Sequence, residues 1–424
     1  MTLAIEGGTP VRTEPFPIYN TIGDEERRAV LEVLDSGVLS QFIGAWCPDF
    51  LGGPRVRALE SAWAGYFAAR HAVSVNSATS GLYAAVGAAG VGPGDEVIVS
   101  PYTMSASATA AIVYGAVPVF ADIEADTFCL DPQSVQDRIT ERTRAIIGVD
   151  LFGHPADWRG IRDAVGARPI VLIEDSAQAP GARLGDRYAG TLADMGVFSL
   201  NYHKTIHSGE GGVVVTDDDR LADRLQLIRN HGEAVVKAKG EDDIVNLVGF
   251  NYRMTEIEAA IALEQLKKLD RLLGLRIEAA EYLTERLRGL PGITPPAVRS
   301  GARHGYYVYA FKYDAGESKL SRGRFAEALR AEGIPVSVGY VEPLYRQPMY
   351  QRGIALGRHG FPFVQPGRVR VTYPDGLCPV AERMYERELL YFSFCQAGIT
   401  RADLDDVVTA VSKVLESAGE PVGA

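Results

Sequence analysis

The chain has 424 residues, 46% hydrophobic and 23% charged, and a formal net charge of −11. A length beyond what one core supports predicts two lobes, and the composition excludes a disordered chain. The acidic balance argues against broad polyanion binding, and four scattered cysteines (Cys47, Cys129, Cys378 and Cys395) give neither a disulfide framework nor a zinc site.

Residues 1–20, rich in Gly and Pro, read as an extended arm. Met1 to Thr9 lacks a basic start followed by an apolar stretch, so no secretory leader is expected and a cytoplasmic protein is inferred. From about residue 73 to 216, short β-rich runs alternate with helical stretches, at 72–75, 96–99, 118–121, 145–149, 170–173, 196–199 and 213–216. Such runs, bounded by turn residues, read as strands buried on both faces of a mainly parallel sheet. Seven of them with helical connections predict an α/β large domain over 21–270. The last run follows its neighbour with no room for a long helix, so it is expected to be antiparallel. The most apolar segment, Ala106 to Ala121, is interrupted by Gly115 and Pro118 and is too short to span a bilayer.

Over 255–291, Ile257, Ala260, Leu263, Leu266, Leu269 and Leu273 recur at helical spacing, predicting one or two long helices. Beyond Pro291, strands such as 306–313 and helices such as 322–332 predict a smaller α+β domain, 271–424.

Candidate chemistry gathers at the strand ends, where open α/β sheets bind ligands. Asp175 closes the run Ile170-Val171-Leu172-Ile173-Glu174; its carboxylate suits a pyridinium proton, or the cap of a following helix. Gln178 is spaced to meet a phenolic oxygen. Ser77-Ala78-Thr79-Ser80-Gly81 precedes a helical run, so its amides and hydroxyls offer an anion site or a plain N-cap turn. Ser199, at another strand end, adds a hydroxyl.

Lys204 lies between His203 and His207, just before Gly209-Glu210-Gly211-Gly212. A lone lysine is ordinarily solvated, and two histidines without carboxylates do not make a metal site, so no metal is expected. The glycines, however, imply a close-approach backbone beside the amine. An amine for a Schiff base, a carboxylate for a ring nitrogen and hydroxyls for a phosphate are what pyridoxal 5'-phosphate requires. A lysine held beside that cationic group, away from water, has a lowered pKa. Arg253, in Asn251-Tyr252-Arg253-Met254, matches the carboxylate of an amino-acid donor, or makes an interlobe salt bridge.

These motifs resemble, in order, those of the DegT/StrS group of sugar aminotransferases. Ser77-Ala78-Thr79 is similar to its phosphate turn, Glu174-Asp175-Ser176-Ala177-Gln178 to its Glu-Asp-x-Ala-[His/Gln] motif, and Ser199 to Lys204 keeps its Ser-x4-Lys spacing. Arg229-Asn230-His231-Gly232, Asn251-Tyr252-Arg253-Met254 and Cys378-Pro379-Val380-Ala381-Glu382-Arg383 also look like family signatures. The resemblance implies the pyridoxal-phosphate transferase fold of type I and a homodimer in which Asn251 and Arg253 reach the other subunit's cofactor and donor. It implies transfer of an amino group from glutamate or glutamine to a ketone on a sugar or cyclitol. Met104 stands where the family usually has an aromatic residue over the cofactor ring, Asn201 replaces a usual histidine or glutamine, and the segment 41–52 is longer than in most relatives. Two alternatives share the fold: a pyridoxamine-dependent sugar dehydratase, which would carry histidine in place of Lys204, and a non-catalytic metabolite-sensing regulator. A nicotinamide-binding protein would need a Gly-x-Gly-x-x-Gly after the first strand, which this chain lacks.

Overall fold

All seven apolar runs lie in one sheet of the computed structural model, which describes residues 2–365, 367 and 370–417. In chain order the first strands are His71–Val75 (β1), Glu96–Val99 (β2), Val117–Phe120 (β3), Thr143–Val149 (β4) and Val171–Asp175 (β5). A small hairpin, Arg183–Leu184 (β6) and Arg187–Tyr188 (β7), intervenes before Met195–Ser199 (β8) and Gly212–Thr216 (β9). The spatial order is β1-β9-β8-β5-β4-β2-β3. β9 runs antiparallel to β8 and β1, while the other neighbouring pairs are parallel. Every residue of β8 and β9 is buried, which is why these strands read as continuous apolar runs. Alanines carry much of the packing on one face: Ala84, Ala85 and Ala88 of α3 (Ala78–Ala88) and Ala108, Ala110 and Ala111 of α4 (Ala106–Val113) are buried.

One unbroken helix, Glu256–Leu287, fills the expected helical region, started by a capping box between Thr255 and Glu258. Its first half, with Leu266, Leu269 and Leu272, packs in a core with Trp63, Phe198 and Val213. Its second half, with Ala279, Leu283 and Leu287, packs in another with Phe311, Phe325, Leu390 and Val407. The division at 270 inferred from sequence therefore falls inside this helix. The second core lies against an antiparallel sheet in the order β10-β12-β14-β13, formed by Ile293–Thr294 (β10), Tyr309–Tyr313 (β12), Ser337–Val338 (β13) and Leu389–Phe392 (β14); Ala302–Arg303 (β11) pairs with β6. The strand expected from 306 starts only at 309, because Tyr306 has a positive φ of 44° that breaks extended backbone.

The N-terminal arm is docked along its length. Buried Glu332 accepts from the amides of Ala4 (2.8 Å) and Val11 (3.0 Å) and pairs with Lys413 at 2.8 Å. Further along, Tyr19 donates to the Thr205 carbonyl at 2.5 Å and Thr21 to Gln265 of the long helix at 2.7 Å.

Candidate active site

The carboxyl ends of β1, β4, β5 and β8 open on one cleft of about 220 Å³. Ala78, Thr79, Met104, Asp175, Gln178, Ser199 and Lys204 all line it, although they come from separate stretches of the chain.

One end of the cleft is the start of α3. Ser77, extended at φ −167°, caps the helix by accepting from the Ser80 amide, and Asn76 holds the Ser80 hydroxyl at 2.6 Å. Among the described residues the amides of Ala78 and Thr79 meet no acceptor, so two donors at the positive end of the helix face the cleft. Gly212 passes so close that a Cβ there would stand 2.7 Å from the Ala78 nitrogen. The glycine run thus lets β9 and the α3 turn abut. Ser199 sits beside them, its Oγ accepting from the Asn201 amide at 3.3 Å.

The segment between β8 and β9 is a closed loop. The Leu200 amide donates to the Gly211 carbonyl and the Ser208 amide to the Leu200 carbonyl, both at 2.9 Å. Asn201 donates to Glu210 at 2.8 Å, and Gly209 takes a φ of 91° that favours glycine. At its tip Lys204 is buried, with Nζ 4.7 Å from the centre of the Tyr307 ring. Burial lowers the lysine pKa to about 8, against an opposing pull from the Asp175 charge. His203 is also shifted down, by burial and by the charge of Lys204.

Asp175 is buried at the end of β5. No helix follows it, so the capping alternative does not apply. Its Oδ2 accepts from the Ser107 hydroxyl at 2.9 Å and its Oδ1 from the Ala177 amide at 3.2 Å. Burial raises its pKa; Ser107, the Ala177 amide and Lys204 each pull it back. A buried acid in that state is relieved by a cation at its face.

Gln178 is engaged at both ends: Oε1 accepts from the Phe152 amide at 2.8 Å, and Nε2 donates to the Tyr340 hydroxyl at 2.9 Å. One amide hydrogen remains for a ligand. Met104 is 62% exposed at the rim. Asn251 and Arg253 do not line the cleft; Arg253 donates to Asn251 at 2.8 Å and to Asn230 at 3.3 Å, while the Tyr252 carbonyl receives the Asn76 amide at 2.8 Å beside the α3 turn. The segment 41–52 stays outside the lining too. Asn230 donates to its Ile43 and Phe50 carbonyls (3.1 and 2.9 Å), and Phe50 is buried while Trp46 is exposed.

Three residues of the site were not anticipated: Ser107, Tyr307 and Tyr340. Ser107 had a signal, a polar residue within the apolar segment 106–121. Tyr307 and Tyr340 had none beyond their aromatic character. Amides and hydroxyls at one end, a buried acid in the depth and a buried amine beside them suit a flat, proton-carrying ring with an anionic tail.

The profile of the DegT/DnrJ/EryC1/StrS aminotransferase family matches residues 20–412. An L-glutamine:2-deoxy-scyllo-inosose aminotransferase of Streptoalloteichus tenebrarius is 35% identical, covering 99% of this chain and 98% of its own length. A GDP-perosamine synthase of Caulobacter vibrioides is 34% identical over 92% of this chain and 95% of its own. Among solved structures, DesV of S. venezuelae, in complex with a ketimine intermediate, superposes with a TM-score of 0.78 at 31% identity, covering 94% of this chain and 95% of that one.

Proposed function

Because the chain belongs to the DegT/DnrJ/EryC1/StrS aminotransferase family and has its fold of type I, we propose that it transfers the amino group of L-glutamine or glutamate to a ring ketone of a cyclitol or sugar. The observation that carries this reading is the buried Lys204 amine sharing one cleft with the buried Asp175 carboxylate. The relatives named for scyllo-inosose favour a cyclitol, and the perosamine synthase keeps nucleotide-linked keto sugars in the same reaction class.

The donor set fits pyridoxal 5'-phosphate. When bound, that group supplies an aldehyde that takes up amines and a protonated ring that withdraws electrons. The Ala78 and Thr79 amides with the Thr79 and Ser199 hydroxyls would hold its phosphate. Asp175 would hold the ring-nitrogen proton, Gln178 would face the phenolic oxygen with its remaining hydrogen, and the Met104 thioether would pack on the ring. Lys204 would offer its amine to the aldehyde. Once freed, its Nζ would take the proton from the donor α-carbon and return it to the carbon on the far side of the transferred nitrogen, as general base and then acid. The ordinary lysine pKa would leave almost none of that amine neutral near pH 7; burial, which lowers it to about 8, makes a fraction of it neutral there and most of it neutral just above.

Asn251 and Arg253 would act in the site of a second copy, with Arg253 gripping the donor carboxylate. Exposed Leu31, Leu34, Val38, Leu39, Ile43 and Trp46, with Ile244, Val245 and Val248 just before Asn251, support an apolar face that a second copy covers. Among the described residues no helix is long and apolar enough to cross a membrane, in keeping with a cytoplasmic enzyme.

The test is amino transfer from glutamine and from glutamate by the purified protein across an inosose, a nucleotide-linked keto sugar and a keto sugar phosphate. Product from the first or second bears out the proposal. Absence of product from all three, with cofactor bound, overturns it.

A further inference from the structure

Two carboxylic acids meet beside Asp175 on the other face of the sheet. Neighbouring residues of a strand face opposite ways, so Glu174 turns away from the cleft, towards Asp150 at the end of β4. Both acids are fully buried. Asp150 accepts three hydrogen bonds, from the Ala156 amide (2.9 Å) and the Trp158 indole (3.3 Å) on Oδ1 and from the Ser176 hydroxyl (2.6 Å) on Oδ2, which leaves Oδ2 room for one more donor. Glu174 Oε2 accepts from the amides of Leu192 (2.7 Å) and Ala193 (3.2 Å). Its Oε1 has no donor among the described residues, and the Asp150 carboxylate is the charged group near enough to act on it. No lysine, arginine or histidine of the described residues forms an ion pair with either acid, and the thiol of Cys129 is a further titratable group beside Asp150.

Two buried carboxylates in contact without a counter-ion cannot both ionise. A proton on the orphaned Oε1 turns it into a donor towards Asp150 and satisfies it. We propose that Glu174 holds this proton and donates it to an ionised Asp150, and that the pair is a positioning device for Asp175. Burial raises the proton affinity of both acids, that of Glu174 the further. The positioning follows from connectivity. Residues 174 and 176, on either side of Asp175, both end on the Asp150 carboxylate, and the Asp150 amide donates to the Asp175 carbonyl at 3.0 Å. The Asp175 peptide is therefore held from three sides by one residue. The second half of this inference rests on the role proposed for Asp175; the first half does not.

E174Q separates the two halves. Its amide oxygen can keep the Leu192 and Ala193 amides while its NH2 replaces the proton towards Asp150. An acid whose folded pKa exceeds its unfolded value lends stability at low pH and loses it as pH rises through the folded pKa. The Gln variant has no such loss. Thermal melting of the protein without cofactor, from about pH 5 to about pH 9, should therefore show wild type falling behind E174Q by several degrees as pH rises. Parallel curves overturn the shared proton.

Positioning is read from the pH midpoint of the visible absorbance of bound pyridoxal phosphate. That midpoint should be unchanged in E174Q and move by about one unit in E174A. A folded E174A with the wild-type midpoint overturns positioning; if E174A does not fold, S176A supplies the same reading, and an unmoved midpoint there overturns it. Failure of wild type to bind pyridoxal phosphate would sink the proposed function, while the melting comparison would still decide the proton.

Discussion

The hydroxyl of Ser107, on α4, donates at 2.9 Å to Oδ2 of Asp175, a residue 68 positions later in the chain. It is a side-chain donor facing the buried carboxylate that would hold the ring proton, and it stabilises the ionised form. Removing a hydrogen bond to a charged group costs about 1.5–3 kcal/mol. Ser107→Ala is expected to lower kcat by about tenfold with the fold intact, as a fraction of that energy is lost at the reacting centre. Steady-state kinetics beside a circular dichroism melt check this; an unchanged kcat would leave Ser107 as packing alone.

Asp175→Asn keeps the shape of the side chain and removes its charge. Cofactor should be retained through the phosphate end, while turnover falls by about 10²–10³. Near-wild-type turnover with cofactor bound would mean that Asp175 does not hold the ring proton.

Lys204, with a pKa lowered to about 8, is largely protonated at pH 7 and neutral above the midpoint. Only the neutral amine attacks an aldehyde. The rate at which cofactor-free enzyme takes up pyridoxal phosphate should therefore rise with pH and level off beyond that midpoint. Lys204→Ala should abolish uptake that borohydride can fix. A profile still climbing at the ordinary lysine pKa would contradict the burial argument.

Gly212→Ala places a methyl group where 2.7 Å separates it from the Ala78 nitrogen. Overpacking of this kind costs about 1–3 kcal/mol, and the α3 turn must retreat to relieve it. Weaker retention of pyridoxal phosphate on dialysis is expected, with helix content preserved. Tight retention would show that the turn does not grip the phosphate.

If Arg253 serves a second copy, Lys204→Ala and Arg253→Ala chains, each inactive alone, should complement each other when co-expressed. Random pairing makes half the dimers mixed, with one intact site in two, so about a quarter of wild-type activity is the ceiling. A verified heterodimer without recovery would place Arg253 in its own chain's site or outside any site.

The sheet was legible because its strands are buried on both faces, and the antiparallel β9 because the Lys204 loop leaves no space for a crossover helix. Lys204 itself was legible through the glycine run after it. What the sequence hid were relations across long separations. Nothing in Ala106-Ser107-Ala108 says that α4 ends its hydroxyl on β5, and nothing in Glu174 says that its partner is Asp150. The helical stripe over 257–273 gives no sign of where one core yields to the next, because both cores ask for the same period. The segment 41–52 was legible only as longer than in most relatives; its Phe50 is in the core and its backbone is tied to Asn230, outside the lining of this chain's own cleft.

The docking of the arm on Glu332 has a consequence for how the protein is made. Residues 4 and 11 leave the ribosome long before Lys413, yet the carboxylate they bind is paired only when Lys413 reaches it. The arm must wait for the helix that carries Lys413 before this anchor is complete. Tyr19, which holds the lysine loop from the same arm, waits with it. A chain cut short before residue 413 would thus leave a buried acid without its cation and loosen an anchor of the arm that straps the lysine loop, more than two hundred residues upstream of the cut.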